Sequence, residues 1–173
     1  MNIVLNRIII DKLKSSDKKA YFDNISSSKR VLDTFMDKYL DNIDDLNFDN
    51  YLKIEDLYSL RLKDNDEFIG IILIVEDKGD EVEVGYAIGS SFWNKGYATE
   101  SLNGFIDYLF NQRNKKRIIA SYFEGNEASK KVMEKNGMKF AYIDEEGLVY
   151  LNKKRKLIYY SIDKEDFENE RKN

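Results

Sequence analysis

Val82–Phe110 reads VEVGYAIGSSFWNKGYATESLNGFIDYLF, and the rest of the chain is arranged around it. Val84, Tyr86 and Ile88 alternate with Glu83, Gly85, Ala87 and Gly89, so one face of an extended strand is bulky and the other small. Further on, Ala98, Leu102, Phe105, Ile106, Leu109 and Phe110 recur at helical spacing and form a broad apolar stripe. Trp93-Asn94-Lys95-Gly96-Tyr97-Ala98-Thr99 joins the two. A glycine at a strand-to-helix junction exposes backbone N–H groups where the helix dipole is positive, which suits a phosphate or pyrophosphate. The same glycine can equally serve a tight turn and nothing more.

Two phosphate loops are excluded by spacing. Lys95 precedes Gly96 and no second glycine completes G-x-x-x-x-G-K-[ST], and G-x-G-x-x-G is absent. What remains, Trp93-x-x-Gly96-x-Ala98, resembles the coenzyme A loop Q/R-x-x-G-x-G/A of the GNAT N-acetyltransferases, with tryptophan at the first position. Together with GYATES it resembles the branch that includes the ribosomal-protein N-terminal acetyltransferases. Asn126-Glu127-Ala128-Ser129 and Glu134-Lys135-Asn136-Gly137-Met138 are similar to the family's N-x-x-S…E-K-x-G-F. The resemblance covers roughly residues 67–162.

Composition narrows the chemistry. The 173 residues suffice for one domain with a real core. Lys+Arg 28 against Asp+Glu 32 gives a net charge of −4, which argues against a chain-wide nucleic-acid surface. No apolar run reaches membrane-spanning length and MNIVLNRIII lacks a basic n-region, so a cytoplasmic protein without membrane partners is the expectation. With His 0 and Cys 0, neither a Ser-His-Asp nor a Cys-His system can form, zinc loses its usual ligands, and no metal site is expected. Acid–base groups must come from Glu, Asp, Tyr, Lys, Ser or a terminus. Direct transfer from an activated donor fits that inventory, and a covalent acyl-enzyme fits it poorly.

Along the chain, residues 3–10 read as a first strand and Ser16-Asp17 as a helix start. From about Ser28, Val31, Leu32, Phe35, Met36, Tyr39, Leu40 and Ile43 predict one amphipathic helix. Its outer face would carry Asp37, Asp41, Asp44 and Asp45, either solvated or attracting a cationic substrate. Residues 57–63 and 67–76 predict antiparallel strands leading into the strand quoted first. After the long helix, NQRNKKR is a basic connection, a solvated loop or a seat for a nucleotide 3′-phosphate, ahead of strand 118–123. Strand–helix–strand over 82–123 implies parallel pairing, with a ligand crevice if the strands part at their C-terminal ends. Asn126 is an N-cap candidate for a helix ending at Asn136-Gly137. Residues 140–142, 148–151 and 157–162 read as short closing strands around loops DEEG and NKKRK, followed by a fraying charged tail.

The resemblance implies an α/β (α+β) fold: one GNAT-like domain over residues 1–173, its cofactor-binding core at about 67–138. It implies a mixed sheet of about six to seven strands flanked by helices, with a splayed strand pair binding the cofactor. It implies acetyl-CoA as donor, contacted by Ala87, Ile88, Trp93, Asn94, Lys95, Gly96, Tyr97, Ala98, Thr99, Asn126 and Ser129. Glu83 resembles the glutamate that relatives use as base, with a surface residue as the plain alternative, and Glu145 and Glu146 stand next in line. Many members carry a tyrosine general acid where this chain has Met133, and Ser129 is the nearest replacement. The implied activity is acetyl transfer to a primary amine, a protein or peptide N-terminus first. The alternatives are a small cationic amine such as a polyamine or aminoglycoside, and a non-catalytic acyl-CoA sensor. A monomer and a homodimer are both compatible.

Overall fold

The computed structural model describes residues 1–171. Its elements run β1 (Asn2–Val4), β2 (Ile8–Lys12), α1 (Lys18–Tyr21), α2 (Lys29–Leu32), α3 (Phe48–Leu52), β3 (Leu57–Leu62), β4 (Phe68–Asp77), β5 (Glu81–Ile88), α4 (Tyr97–Asn111), β6 (Arg117–Phe123), α5 (Glu127–Lys135), β7 (Lys139–Tyr150), β8 (Lys153–Asp163) and α6 (Lys164–Glu170). The strands are ordered β1-β2-β3-β4-β5-β6-β8-β7, eight where six to seven were expected. Pairing is antiparallel in the pairs β1–β2, β2–β3, β3–β4, β6–β8 and β7–β8, and parallel between β5 and β6. That parallel pairing holds from Glu81–Arg117 to Val84–Ala120 and ends there. β5 runs on to Ile88 and β6 to Phe123, each beyond its last paired residue. No described helix is long and apolar enough to cross a membrane.

The chain packs as two compact units. One is Met1–Leu73 with Tyr86–Ser101; the other is Ile74–Gly85 with the chain from Leu102 onward. In the first, Tyr21, Ile25, Val31, Phe48, Leu57 and Phe68 are among the buried residues of a core that Trp93 and Phe35 border. In the second, the α4 stripe closes a core: Leu102, Phe105, Ile106, Leu109 and Phe110 are fully buried, each worth about 1.5–3 kcal/mol.

Four expectations are corrected. The first strand is a hairpin, β1 and β2, because the chain turns back at Leu5–Arg7, where Leu5 N–H donates to the Ile8 carbonyl at 2.8 Å. The long helix from Ser28 stops at Leu32. Beyond it side chains outcompete helical bonding. Asp37 accepts from the hydroxyls of Tyr21 (2.7 Å) and Tyr51 (2.8 Å), while Leu40 N–H donates to the Ser26 carbonyl at 3.0 Å. The helix whose outer face would be acidic therefore does not form. Burial, then Asp37, holds both tyrosines far above the usual phenol range.

The closing segment is one long hairpin rather than three short strands. Leu151 and Asn152, both left-handed (φ 51 and 59), turn β7 into β8, and NKKRK lies in the turn and the start of β8. DEEG is a bulge within β7: Asp144 Oδ1 accepts from the Glu146 and Gly147 N–H groups, each at 3.1 Å. A side chain at Gly147 would meet the Arg155 carbonyl at 2.0 Å, so the bulge requires glycine. The tail does not fray up to Arg171; α6 buries Phe167, whose ring lies 5.2 Å from that of Phe110.

Candidate active site

The loop after β5 belongs to the first unit. Ala87 and Ile88 are buried at the strand end. A short 3-10 turn, Ser90–Phe92, leads to Trp93, whose Nε1–H donates back to the Ile88 carbonyl at 2.7 Å. The Arg30 guanidinium stacks over the Trp93 ring at 5.0 Å. Asn94 (φ 61) and Gly96 (φ 80) are left-handed, and this backbone carries the chain into the first turn of α4. The first turn of any helix leaves its N–H groups without intrahelical acceptors and carries positive partial charge, which makes it an anion seat.

One residue that the sequence did not single out organises this loop. Arg7 donates from Nη1 to the Lys95 carbonyl (2.9 Å), from Nε to Glu100 Oε2 (2.8 Å) and from its backbone N–H to Glu100 Oε1 (2.6 Å). Its guanidinium also covers the Tyr97 ring at 4.9 Å. Arg7 thereby neutralises the one carboxylate in the first turn of α4, which would otherwise oppose a bound phosphate. The pairing joins residues 93 positions apart, so no local pattern could reveal it.

The second unit holds Glu83, Asn126 and Ser129. Asn126 caps α5: its Oδ1 accepts from Ser129 N–H (3.2 Å) and its Nδ2 donates to Ser129 Oγ (3.0 Å). Ser129 is thus held by the cap through both its backbone N–H and its hydroxyl. Met133 points into the core, 1% exposed, and takes no part in the site.

Glu83 is half-buried, and Ser121 Oγ donates to its Oε1 at 3.0 Å. Its partner is therefore Ser121 on β6 rather than Ser129. Burial is the largest influence on Glu83 and holds its carboxyl above the ordinary carboxylate range; the Ser121 hydrogen bond opposes that. Of the reserve candidates, Glu145 is exposed and paired with Lys156 at 2.7 Å, and Glu146 lies exposed in the β7 bulge.

The basic connection is largely exposed, as a solvated loop would be, but its cations are paired with carboxylates of the chain. Lys115 is buried, with Nζ 2.7 Å from both Asp77 oxygens and 2.8 Å from the Gly79 carbonyl. Lys116 pairs with Asp80 at 2.7 Å and Arg117 with Asp163 at 3.1 Å. Among the described residues no group of three or more His, Cys, Asp or Glu is placed to hold a metal ion.

Residues 7–139 match the family model for the acetyltransferase (GNAT) domain. The chain is 30% identical over 142 residues to the uncharacterized N-acetyltransferase YnaD of Bacillus subtilis, covering 80% of this chain and 83% of that protein. A crystal structure of a GNAT-family acetyltransferase from Bacillus anthracis superposes with a TM-score of 0.85 at 25% identity, covering 95% of this chain and 99% of that one. A ribosomal-protein-S5-alanine acetyltransferase from Vibrio fischeri shares the fold, with a TM-score of 0.76 at 19% identity over 96% of this chain and 98% of that one. With a family match over most of its length and an eight-stranded mixed sheet of the same architecture, the chain belongs to the GNAT acetyltransferase family and is an acyltransferase.

Proposed function

We propose that the chain moves the acetyl group of acetyl-CoA directly to a primary amine, and that the amine is a protein or peptide N-terminus. The observation that carries direct transfer is Glu83, a half-buried carboxyl held above the ordinary carboxylate range chiefly by burial and bonded by a hydroxyl. An ordinary carboxylate is a weak proton acceptor at neutral pH, whereas one with a raised pKa is matched to general base catalysis.

Acetyl-CoA supplies an acyl group activated as a thioester. In the proposed assignment the backbone of Asn94, Lys95, Gly96, Tyr97, Ala98 and Thr99 takes the pyrophosphate, with Trp93 closing the loop behind it. In the first unit Ala87 and Ile88 at the end of β5 are assigned to the cofactor; in the second, Asn126 and Ser129 at the start of α5 are. Glu83 takes a proton from the amine, whose nitrogen then bonds the carbonyl carbon. The carbon–sulfur bond would break with Ser129 as hydrogen-bond donor to the departing thiolate, which would take its proton from solvent. No acyl-enzyme is formed. We also propose that the two units work as one domain, since β4, β5 and α4 each run from one into the other. A cytoplasmic setting and a monomeric or homodimeric state belong to the same proposal.

A small cationic amine is the second reading. It is favoured by Glu76, Glu81 and the tyrosines Tyr142 and Tyr159 in the electrostatic surroundings of Glu83. Release of free thiol from acetyl-CoA, followed with a panel of peptide N-termini and small amines, tests both. Turnover with peptides supports the first reading, and turnover confined to polyamines or aminoglycosides replaces it with the second. Absence of thiol release with every acceptor would overturn direct transfer.

A further inference from the structure

Glu83 begins a row of side chains that crosses four neighbouring strands of the second unit. The β5–β6 pairing ends at Val84–Ala120, and Ser121 is the next residue of β6. Its hydroxyl donates to Glu83 Oε1 at 3.0 Å. Tyr159 is the cross-strand partner of Ser121 on β8, and Tyr142 on β7 is the cross-strand partner of Tyr159. The two tyrosine rings stack with centroids 4.5 Å apart and planes 13° from parallel. Tyr142 is the exposed end of the row and Glu83 the sheltered end.

We propose that Ser121 is a positioning residue, and that with Tyr159 and Tyr142 it fixes the Glu83 carboxylate and the degree of hydration it needs to take a proton. The assignment rests on the reading of Glu83 as base. The two parts of the row act in opposite senses. The Ser121 hydroxyl stabilises the ionised carboxylate, while burial stabilises the neutral acid; in this assignment the tyrosine pair supplies part of that burial. Other charges face the same group: Glu76 from β4 and Glu81 from β5 disfavour its ionisation, and Lys78 from the connecting turn favours it. Asp144 on β7 acts on both tyrosines. Burial, then the Glu83 and Asp144 carboxylates, push Tyr159 up to about 12, so it stays protonated at neutral pH.

The test is a carbon-13 titration of the Glu83 carboxyl in the full chain, its resonance identified by its loss in Glu83→Gln. It is paired with turnover against pH. Ser121→Ala should move the Glu83 midpoint to higher pH and lower kcat at pH 7 by about fivefold, within the scale of one acid–base contact, leaving KM for acetyl-CoA unchanged. Ser121→Thr, which keeps the hydroxyl, should restore the midpoint. Tyr142→Ala, which admits water, should move the midpoint the other way. A midpoint unmoved by Ser121→Ala, or moved in the same direction by both truncations, overturns the row. If the midpoints move as expected while kcat does not follow, Glu83 is not the base, and the role of the row in proton abstraction falls with that reading.

Discussion

The loop Trp93–Thr99 is seven consecutive residues, whereas the row from Glu83 to Tyr142 takes one side chain from each of four strands. The loop offers mainly backbone: its function depends on φ values at Asn94 and Gly96 and on the first turn of α4. Side chains such as Arg7 and Trp93 brace it from behind. The row offers side chains, and its backbone serves only to set register. A loop of the first kind should tolerate loss of one brace and fail when its own backbone is changed. A row of the second kind should keep its fold and lose chemistry when one atom is removed.

The largest effect that would break this contrast is expected at Gly96. Gly96→Glu places a charged side chain at φ 80, with its Cβ 3.3 Å from Arg7 Nη2, in the proposed anion seat. Acetyl-CoA affinity measured by calorimetry should fall by more than about 100-fold, a loss above the roughly 2.8 kcal/mol that such a ratio represents. Unchanged affinity would show that the loop is not the pyrophosphate seat. Ser129→Ala comes next. It should lower turnover by roughly tenfold with acetyl-CoA affinity nearly unchanged, as for loss of one hydrogen-bond donor to a charged group. Wild-type turnover would return Ser129 to its capping role alone.

The smallest effect sharpens the distinction between brace and backbone. Trp93→Phe keeps a ring under Arg30 and deletes the N–H that reaches the Ile88 carbonyl, together with part of the indole surface. Losing one such bond costs about 1 kcal/mol, so acetyl-CoA affinity should weaken about fivefold and turnover at saturation should hold. A loss as large as that of Gly96→Glu would make the indole part of the seat and erase the contrast.

The same contrast explains what could be read from the sequence. β3, β4, β5, α4, β6 and α5 were legible because each carries its own periodicity and caps, and the loop was legible because its motif is contiguous. Asn126 caps α5 as its position implied, and α5 ends at Asn136-Gly137 with Gly137 left-handed. The segment after Ser28 misled because Val31 through Ile43 keeps helical spacing while Asp37 is claimed by tyrosines 16 residues before it and 14 after it. The α6 tail misled because one buried residue, Phe167, outweighs a charged composition. Arg7, Ser121, Tyr142 and Tyr159 were not singled out for the site at all. Arg7 acts through a pairing 93 positions distant, and the other three depend on strand order and register, which β8 lying between β6 and β7 sets; no local spacing reveals either.

The central claim is that Glu83 accepts the proton in a direct acetyl transfer. Its most direct test is the rate of free-thiol release against pH for the wild type and Glu83→Gln, alongside acetyl-CoA affinity for both. Because its pKa is raised, Glu83 becomes a competent base only as pH climbs past the ordinary carboxylate range, so the wild-type rate should rise through that higher window. Glu83→Gln should lower turnover by roughly 100-fold at pH 7. It should keep affinity within about threefold and recover part of the loss at high pH, where more of the acceptor arrives neutral. Equal turnover in the two proteins, or a loss confined to affinity, would contradict the account.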